Sequence, residues 1–372
     1  MHPLLRQKSH LLPRGELVSL IDRLIDNLVN ITDETGRFLL HLEDGRAIDT
    51  KGWAGWEWTH GIGLYGLYKY GQMTGQPAPH DIIRNWFSAR FAEGVATKNV
   101  NTAAPFLTAA CLYQQNPDCT MRPYLDIWGE WLMHEMPRTL DGGMQHLVYH
   151  LINDQQLWDD TLMMSALTLA KIGQALDRPQ YIDEAKYQFL LHIRYLADPK
   201  TGLWFHGWDF NGRHNFAKAL WARGNAWITI VIPEFIEMLD LPEGDPLRRH
   251  LLSVLEAQAR SLRDLQDDSG LWHTLLDDRD SYLEASATAG FAYGLLKAVR
   301  KRYLPAEYAA VGQKAIRAVI GNINPEGELL NVSFGTGMGD DLDYYRQIPR
   351  TSMPYGQAMA IFALTEYLHD YI

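Results

Sequence analysis

Cysteine is scarce in this chain: Cys111 and Cys119 are the only two among 372 residues, too few for a disulfide framework. No Cys or His cluster recurs at metal-ligand spacing, so neither a metal site nor a disulfide-stapled fold is expected. Long apolar runs are missing as well. No span approaches the roughly 18 uninterrupted apolar residues of a membrane helix. Met1-His2-Pro3-Leu4-Leu5-Arg6-Gln7-Lys8 lacks the apolar stretch of a secretion signal, which gives the cytoplasm as the expected address and no membrane as partner. Positive charge is in deficit, with 34 Lys and Arg against 45 Asp and Glu and a net charge of −11. That disfavours nucleic acid and leaves no polybasic patch, so an anionic substrate would need local cations. Low-complexity tracts are absent too. What is present is an ordinary globular balance, 47% hydrophobic and 21% charged, with 12 Trp and 18 Tyr. Flat aromatic faces beside polar groups suit a sugar-binding cleft, although large helical proteins also pack Trp for its area alone.

Arg14 to Ile31 carries Leu17, Leu20, Ile21, Leu24, Ile25 and Leu28 at helical spacing with charges between them, an amphipathic helix. Trp56 to Met73 follows with almost no charge, and a helix apolar on most sides is a buried one. The pair recurs. Charged, amphipathic segments at about 81–92, 123–136, 179–197, 246–265 and 305–320 alternate with small-residue apolar segments at about 102–113, 160–176, 218–239, 284–300 and 354–371. Several of the charged segments have Pro near the first turn, where its missing N–H costs nothing. Turns of the Thr35-Gly36-Arg37-Phe38 kind recur at Gly142-Gly143-Met144, Thr201-Gly202-Leu203-Trp204, Ser269-Gly270-Leu271-Trp272 and Glu326-Gly327-Glu328-Leu329, each between an outer helix and the next inner one. The hairpin around Glu93–Asn101 lacks one. A period of this kind means repeat architecture. Closing the hairpins into a ring leaves no inner face unsatisfied, so the chain reads as an all-α protein. One (α/α)6 barrel over residues 1–372 is predicted, with a short tail of about 13 residues and the turns gathered at one mouth. An open solenoid would call for polar terminal units, and these are as apolar as the middle ones.

Within that frame the chemistry-bearing stretch is Gln156-Leu157-Trp158-Asp159-Asp160-Thr161-Leu162-Met163-Met164, two carboxylates where an apolar helix begins. Either could simply cap free backbone N–H groups. His146 stands upstream, and His206-Gly207-Trp208-Asp209 and Trp221-Ala222-Arg223-Gly224-Asn225-Ala226-Trp227 follow. Arg223 and Trp227 are four apart and share one helix face, a cation beside an indole. That pair suits a sugar ring bearing a carboxylate, and it also suits a structural cation–π pair. Glu57 and Glu284 read as buried hydrogen-bonding groups, and Asp340-Asp341-Leu342-Asp343 as a solvated loop.

Together with Glu-Ala-Ser-Ala-Thr-Ala-Gly-Phe-Ala-Tyr-Gly-Leu at 284–295 and Pro-Tyr-Gly-Gln-Ala-Met-Ala at 354–360, these motifs resemble those of the unsaturated rhamnogalacturonyl hydrolases, glycoside hydrolase family 105. The likeness runs from about Trp56 to the C-terminus. It implies an (α/α)6 barrel without metal or organic cofactor. Its implied partner is an oligosaccharide with a terminal unsaturated uronic acid, which the enzyme releases. By the same resemblance Asp160 is the catalytic Asp, with Asp159 a neighbour or cap, and Trp158, His146, His206, Arg223 and Trp227 bind substrate. The stretch from His146 to Asp160 is longer than in the rhamnogalacturonan enzymes, and a second pocket Asp of the family is replaced by Asn99-Val100-Asn101-Thr102.

A single Asp fits that substrate's C4=C5 vinyl ether, since one group can protonate C4 and then deprotonate the attacking water. The neighbouring charge and burial would raise the Asp160 pKa, and a helix N-terminus would lower it. Three other readings stand beside this one: an unsaturated glucuronyl hydrolase acting on another polysaccharide, a sugar epimerase on the same barrel using His206 and His273, and a non-enzymatic carbohydrate-binding toroid.

Overall fold

The structure is a computed structural model that describes residues 10–94, 96–149 and 151–371; most of the expected N-terminal tail lies outside the described residues. In chain order the first helices are α1 (Arg14–Asn30), α2 (Trp58–Thr74), α3 (Pro77–Glu93), α4 (Val100–Ala103), α5 (Pro105–Gln115), α6 (Arg122–Glu130) and α7 (Leu167–Ala175). They are followed by α8 (Pro179–Leu196), α9 (Ala222–Met238), α10 (Pro246–Leu265), α11 (Ala285–Arg300), α12 (Tyr308–Gly321), α13 (Leu342–Arg346) and α14 (Pro354–Leu368). An inner ring runs from α2 through α4 and α5, α7, α9, α11 and α14, and α14 packs back against α2. Outside it lie α1, α3, α6, α8, α10 and α12. The ring is closed, as the all-α barrel reading requires.

Sequence pattern explains which helix goes where. Helix α1 buries Leu17, Leu20, Ile21, Leu24, Ile25 and Leu28, the stripe its periodicity marks, and exposes the charges between them. Each such side chain gains about 1.5–3 kcal/mol on leaving water, so a charge at Leu24 would forfeit that gain and weaken the packing of α1. Helices α11 and α14 are buried on nearly every side.

The five turn glycines all have positive φ, from 67° at Gly36 to 91° at Gly270, a conformation that favours glycine. Three do more. A Cβ at Gly202 would lie 2.5 Å from the Ala257 backbone on α10, one at Gly270 2.6 Å from Lys314 O on α12, and one at Gly327 2.3 Å from Arg23 O on α1. Each turn therefore leans on the next outer helix around the ring, and the last leans on the first.

Several boundaries differ from the pattern: α9 starts at Ala222 rather than Lys218, and the segment expected at 102–113 is two helices, α4 and α5. Helix α3 starts at Pro77 rather than Asp81, with Pro in its first turn. The segment read as one helix from Asp160 begins instead as a π turn, Leu162–Ala166, before α7; hydrogen-bond register is invisible to hydrophobic periodicity, and such turns collect at functional sites.

Three two-stranded ribbons complete the fold: β1 (Leu39–His41) with β2 (Ala47–Asp49), β3 (Gln156–Trp158) with β4 (Gly207–Asp209), and β5 (Trp272–His273) with β6 (Leu283–Glu284). The antiparallel β3–β4 register sets Leu157 opposite Trp208 and Trp158 opposite Gly207, which ties the loop before α7 to the loop before α9. At the opposite end of the barrel, late in the inner helices, Lys297 pairs with Glu234 and Glu237, and Lys69 lies 3.1 Å from Glu234. Tyr65 and Tyr293 donate to the same Glu234 carboxylate. No helix among the described residues is long and apolar enough to cross a membrane.

Candidate active site

A cavity of about 240 Å³ opens where the inner helices begin, lined on one side by Glu57, Trp58 and Asn101 and on the other by Asp160, Arg223 and Trp227. His146, Trp158, Phe334, Thr336 and Tyr355 contribute further walls. Because helix N-termini carry partial positive charge, the local field at this end of the barrel favours negative charge despite the chain's negative balance.

The two aspartates do not cap their own helix: the segment that starts at Leu162 has no side-chain cap. Asp159 is wholly buried with both carboxyl oxygens unpartnered, and Asp160 Oδ1 is unpartnered too. Strand pairing places them, since Asp159 N donates to His206 O at 3.0 Å immediately after β3. Gly224 makes the room. A Cβ there would fall 2.1 Å from Asp159 Oδ2. Burial and the Asp160 charge push the Asp159 carboxyl well above its ordinary range. Desolvation raises Asp160 to about 7, with Arg223 pulling the other way. The pair therefore retains at least one proton near neutral pH, with the titration belonging to both groups together.

Around Asp160 the aromatic groups stack in series. The His146 ring lies on Trp158 at 4.0 Å and 5°, and Trp158 meets His206 at 5.2 Å. His146 Nδ1 is 2.8 Å from Thr161 Oγ1 and 3.5 Å from Asp160 Oδ1. The longer contact is not an ion pair, because burial lowers the His146 pKa to about 3 and keeps the ring neutral. The long stretch between His146 and Asp160 folds back on itself through Gln145 to Ile152 O and Asn153 to His146 O, bringing Val148, Tyr149 and Leu151 to the cavity wall.

Two of the predicted binding residues are disposed differently from their sequence reading. His206 does not line the cavity; it is buried behind Trp158, shares a 2.7 Å hydrogen bond with Tyr345, and packs on Trp221. Arg223 does line it, yet its terminal nitrogens are committed. Nη1 donates to Ser333 O and Oγ, and Nη2 to Phe334 O and Thr336 Oγ1. The guanidinium is sandwiched over Trp221 and Tyr355, at 4.6 and 4.9 Å. It is thus a buried brace for the 333–336 loop and a fixed positive charge at the wall. Trp227 stands edge-on to Trp58, and Trp58 stacks on Tyr355.

Glu284 behaves as a buried cap, accepting from Ser286 N, Ala287 N and Ser333 N. His273 is bound to Ser281 O and does not reach the cavity, so the pair of histidines an epimerase would need is not assembled. Among the described residues no group of three or more His, Cys, Asp or Glu is disposed to hold a metal ion. Tyr345, Ser333 and Thr336 escape the sequence reading, and Tyr355 enters it only as part of the 354–360 motif. Asp341, read as part of a solvated loop, caps α13 and so delivers Tyr345 to His206. The run Gly335-Thr336-Gly337-Met338-Gly339 was the available signal for a loop approaching a site.

Comparison with known proteins agrees with this architecture. The Glycosyl Hydrolase Family 88 model matches residues 30–371. An unsaturated rhamnogalacturonyl hydrolase, YesR, from Bacillus subtilis (strain 168) is 29% identical over 316 residues, covering 84% of this chain and 90% of the relative. A crystal structure from Salmonella enterica serovar Paratyphi A, described as a possible member of the GH105 family, is 64% identical with a TM-score of 0.99, covering 100% of this chain and 98% of that one. An unsaturated glucuronyl hydrolase from Streptococcus agalactiae shares the fold at 16% identity, with a TM-score of 0.71 over 98% of this chain and 94% of its own. A closed double ring of helices with adjacent aspartates at the start of one inner helix is thus joined to a family match over most of the sequence, and the chain belongs to the glycoside hydrolases of families 88 and 105.

Proposed function

We propose that this enzyme releases the 4,5-unsaturated uronic acid from the non-reducing end of lyase-generated oligosaccharides, with an unsaturated rhamnogalacturonan disaccharide as substrate. The observation that carries the reading is Asp160. It lines the cavity, holds a carboxyl raised to about 7, and faces a site with a fixed cation and aromatic walls. Protonated Asp160 gives its proton to C4, the C4=C5 electron pair forms the new C–H bond, and positive charge develops over C5 and the ring oxygen. Water then attacks C5 while the Asp160 carboxylate takes its proton, which restores the acid. The C5 hemiketal opens by breaking the bond to the ring oxygen, and the hemiacetal left at C1 expels the aglycone as an alcohol. One water is consumed, and a single residue serves both proton transfers.

Incubating the protein with the unsaturated disaccharide tests this directly, because hydration destroys the conjugated double bond and its ultraviolet absorbance. Persistent absorbance with no released sugar would end the proposal.

The pH dependence follows from the acid role. A group that must be protonated in the free enzyme loses activity as pH rises through its pKa, so kcat/KM is expected to fall about tenfold per unit above about pH 7. A profile still rising at pH 8 would mean that the proton comes from elsewhere. For Arg223→Ala we expect mainly an increase in KM, about tenfold or more, together with a looser 333–336 loop. An unchanged KM in steady-state kinetics would leave Arg223 a structural brace only.

A further inference from the structure

An outer helix of the barrel has one apolar stripe to bury, and α8 does so with Ala185, Phe189, His192 and Leu196. Its opposite face nevertheless carries Tyr187 and Leu190, 43% and 44% exposed. The apolar surface continues beside the helix. The turn at Gly142 lies along α8, held by Tyr187 Oη donating to Asp141 O at 2.5 Å, and it bears Leu140 at 77% exposure. From Leu140 a run of hydrogen bonds passes through Gln155 and Gln145 to Ile152 O, which brings the exposed Ile152 alongside. Four of the nine exposed large apolar side chains among the described residues thus fall on one face. Scattered singly they would need no explanation, but gathered they mark an interaction surface.

The charges at either end of α8 say what covers it. Asp183, Tyr187, Leu190 and Arg194 follow one another at spacings of four, three and four, so they form a single stripe along the helix. That stripe is symmetric about the midpoint between Gln188 and Phe189: Asp183 and Tyr187 stand as far before it as Arg194 and Leu190 stand after it. Two such helices packed antiparallel across a two-fold axis at this midpoint set each Tyr187 on the partner's Leu190 and each Asp183 against the partner's Arg194. Contacts of this isologous kind require a surface complementary to itself, which a foreign partner would not. Both charges are free to take part. Asp183 has Lys186 at 3.1 Å and Arg194 has Asp141 at 3.8 Å, but these are exposed pairs that contribute little. A specific interface buries about 600–1,000 Å² per subunit. Helix α8, 18 residues and about 27 Å long, covers part of that, and Leu140 and Ile152 beside it extend the contact.

We propose that the outer face of α8, with the Leu140 turn, is the site at which a second copy of this chain docks, the two helices antiparallel about a two-fold axis. Nothing in this assignment depends on the proposed reaction.

Sedimentation equilibrium of the full-length chain from about 1 to 100 µM tests it, with thermal unfolding of each variant measured alongside. The native chain is expected to dimerise within that range. Leu190→Arg should remain a monomer throughout. Asp183→Arg and Arg194→Asp each set like charges against one another twice across the axis, and each should weaken association about tenfold or more. An equimolar mixture of these two variants should dimerise again, as should the chain carrying both changes, because opposite charges then face one another at each end. All of the altered side chains are exposed, so the unfolding midpoints of the monomers should match. A native chain still monomeric at the highest concentration would overturn the proposal. So would a dimer that survives Leu190→Arg and both charge reversals, since it would be built on another face, or reversals whose loss is not rescued in the mixture.

Discussion

Asp160→Asn is expected to fold and bind substrate nearly as the native chain does, and to lose about 10²–10⁴-fold or more in kcat. Asparagine has almost the same shape and can hydrogen-bond, but it cannot give up and reclaim a proton, and here one residue carries both transfers. Asp159→Asn is the control. Asp159 has no exposure and a pKa raised by burial and by Asp160, so it is already neutral whenever Asp160 is charged, and a neutral isostere changes little. Steady-state kinetics on the unsaturated disaccharide, with binding followed by quenching of the tryptophans at the site, separates the two variants. A reversed outcome would move the role to Asp159. Near-normal turnover in both would remove the aspartate pair from the chemistry.

The second large effect is expected at the far end of the barrel. Lys297 is wholly buried, and Glu234, which it pairs with, is also bound by Lys69, Tyr65 and Tyr293. Lys297→Met removes one charge and leaves its partner in a low-dielectric surround, which typically costs about 3–5 kcal/mol. The expected result is a lower midpoint in urea denaturation, with turnover per folded molecule unchanged because the site lies at the other mouth. A loss of unfolding free energy of less than about 1 kcal/mol would mean that Lys69 and the two tyrosines suffice to hold Glu234 without Lys297. Acid gives an independent reading. Lys297 and Lys69 outweigh desolvation and hold the Glu237 carboxyl down to about 2, below its ordinary 4.5. A depressed carboxyl pKa contributes stability above its unfolded value, and that contribution drains away as pH falls from about 4.5 toward 2. Lys297→Met should flatten this part of the stability profile.

Periodicity, with terminal units as apolar as the middle ones, determined the ring: the stripe from Leu17 to Leu28 on α1 and the charge-free inner helices bury their apolar faces when the hairpins close, and an open array would leave its end units exposed. The turn glycines were equally legible, because only left-handed backbone explains glycine at each repeat. The residue types at 158–160, 223 and 227 also marked the site, since carboxylate, guanidinium and indole seldom gather at loop-to-helix junctions without a polar ligand to meet. What each would touch was decided by tertiary contacts between segments far apart in sequence. Arg223 is spoken for by a loop 110 residues away. His206 is turned from the cavity by Tyr345, 139 residues on. Whether Asp160 is an acid near pH 7 depends on the balance of desolvation against the Arg223 charge, and Glu57 became a group with an unfilled hydrogen bond only once α4 closed over it. Spacing along the chain carries the period of a helix, but hydrogen-bond partners and dielectric surroundings exist only after the ring has closed.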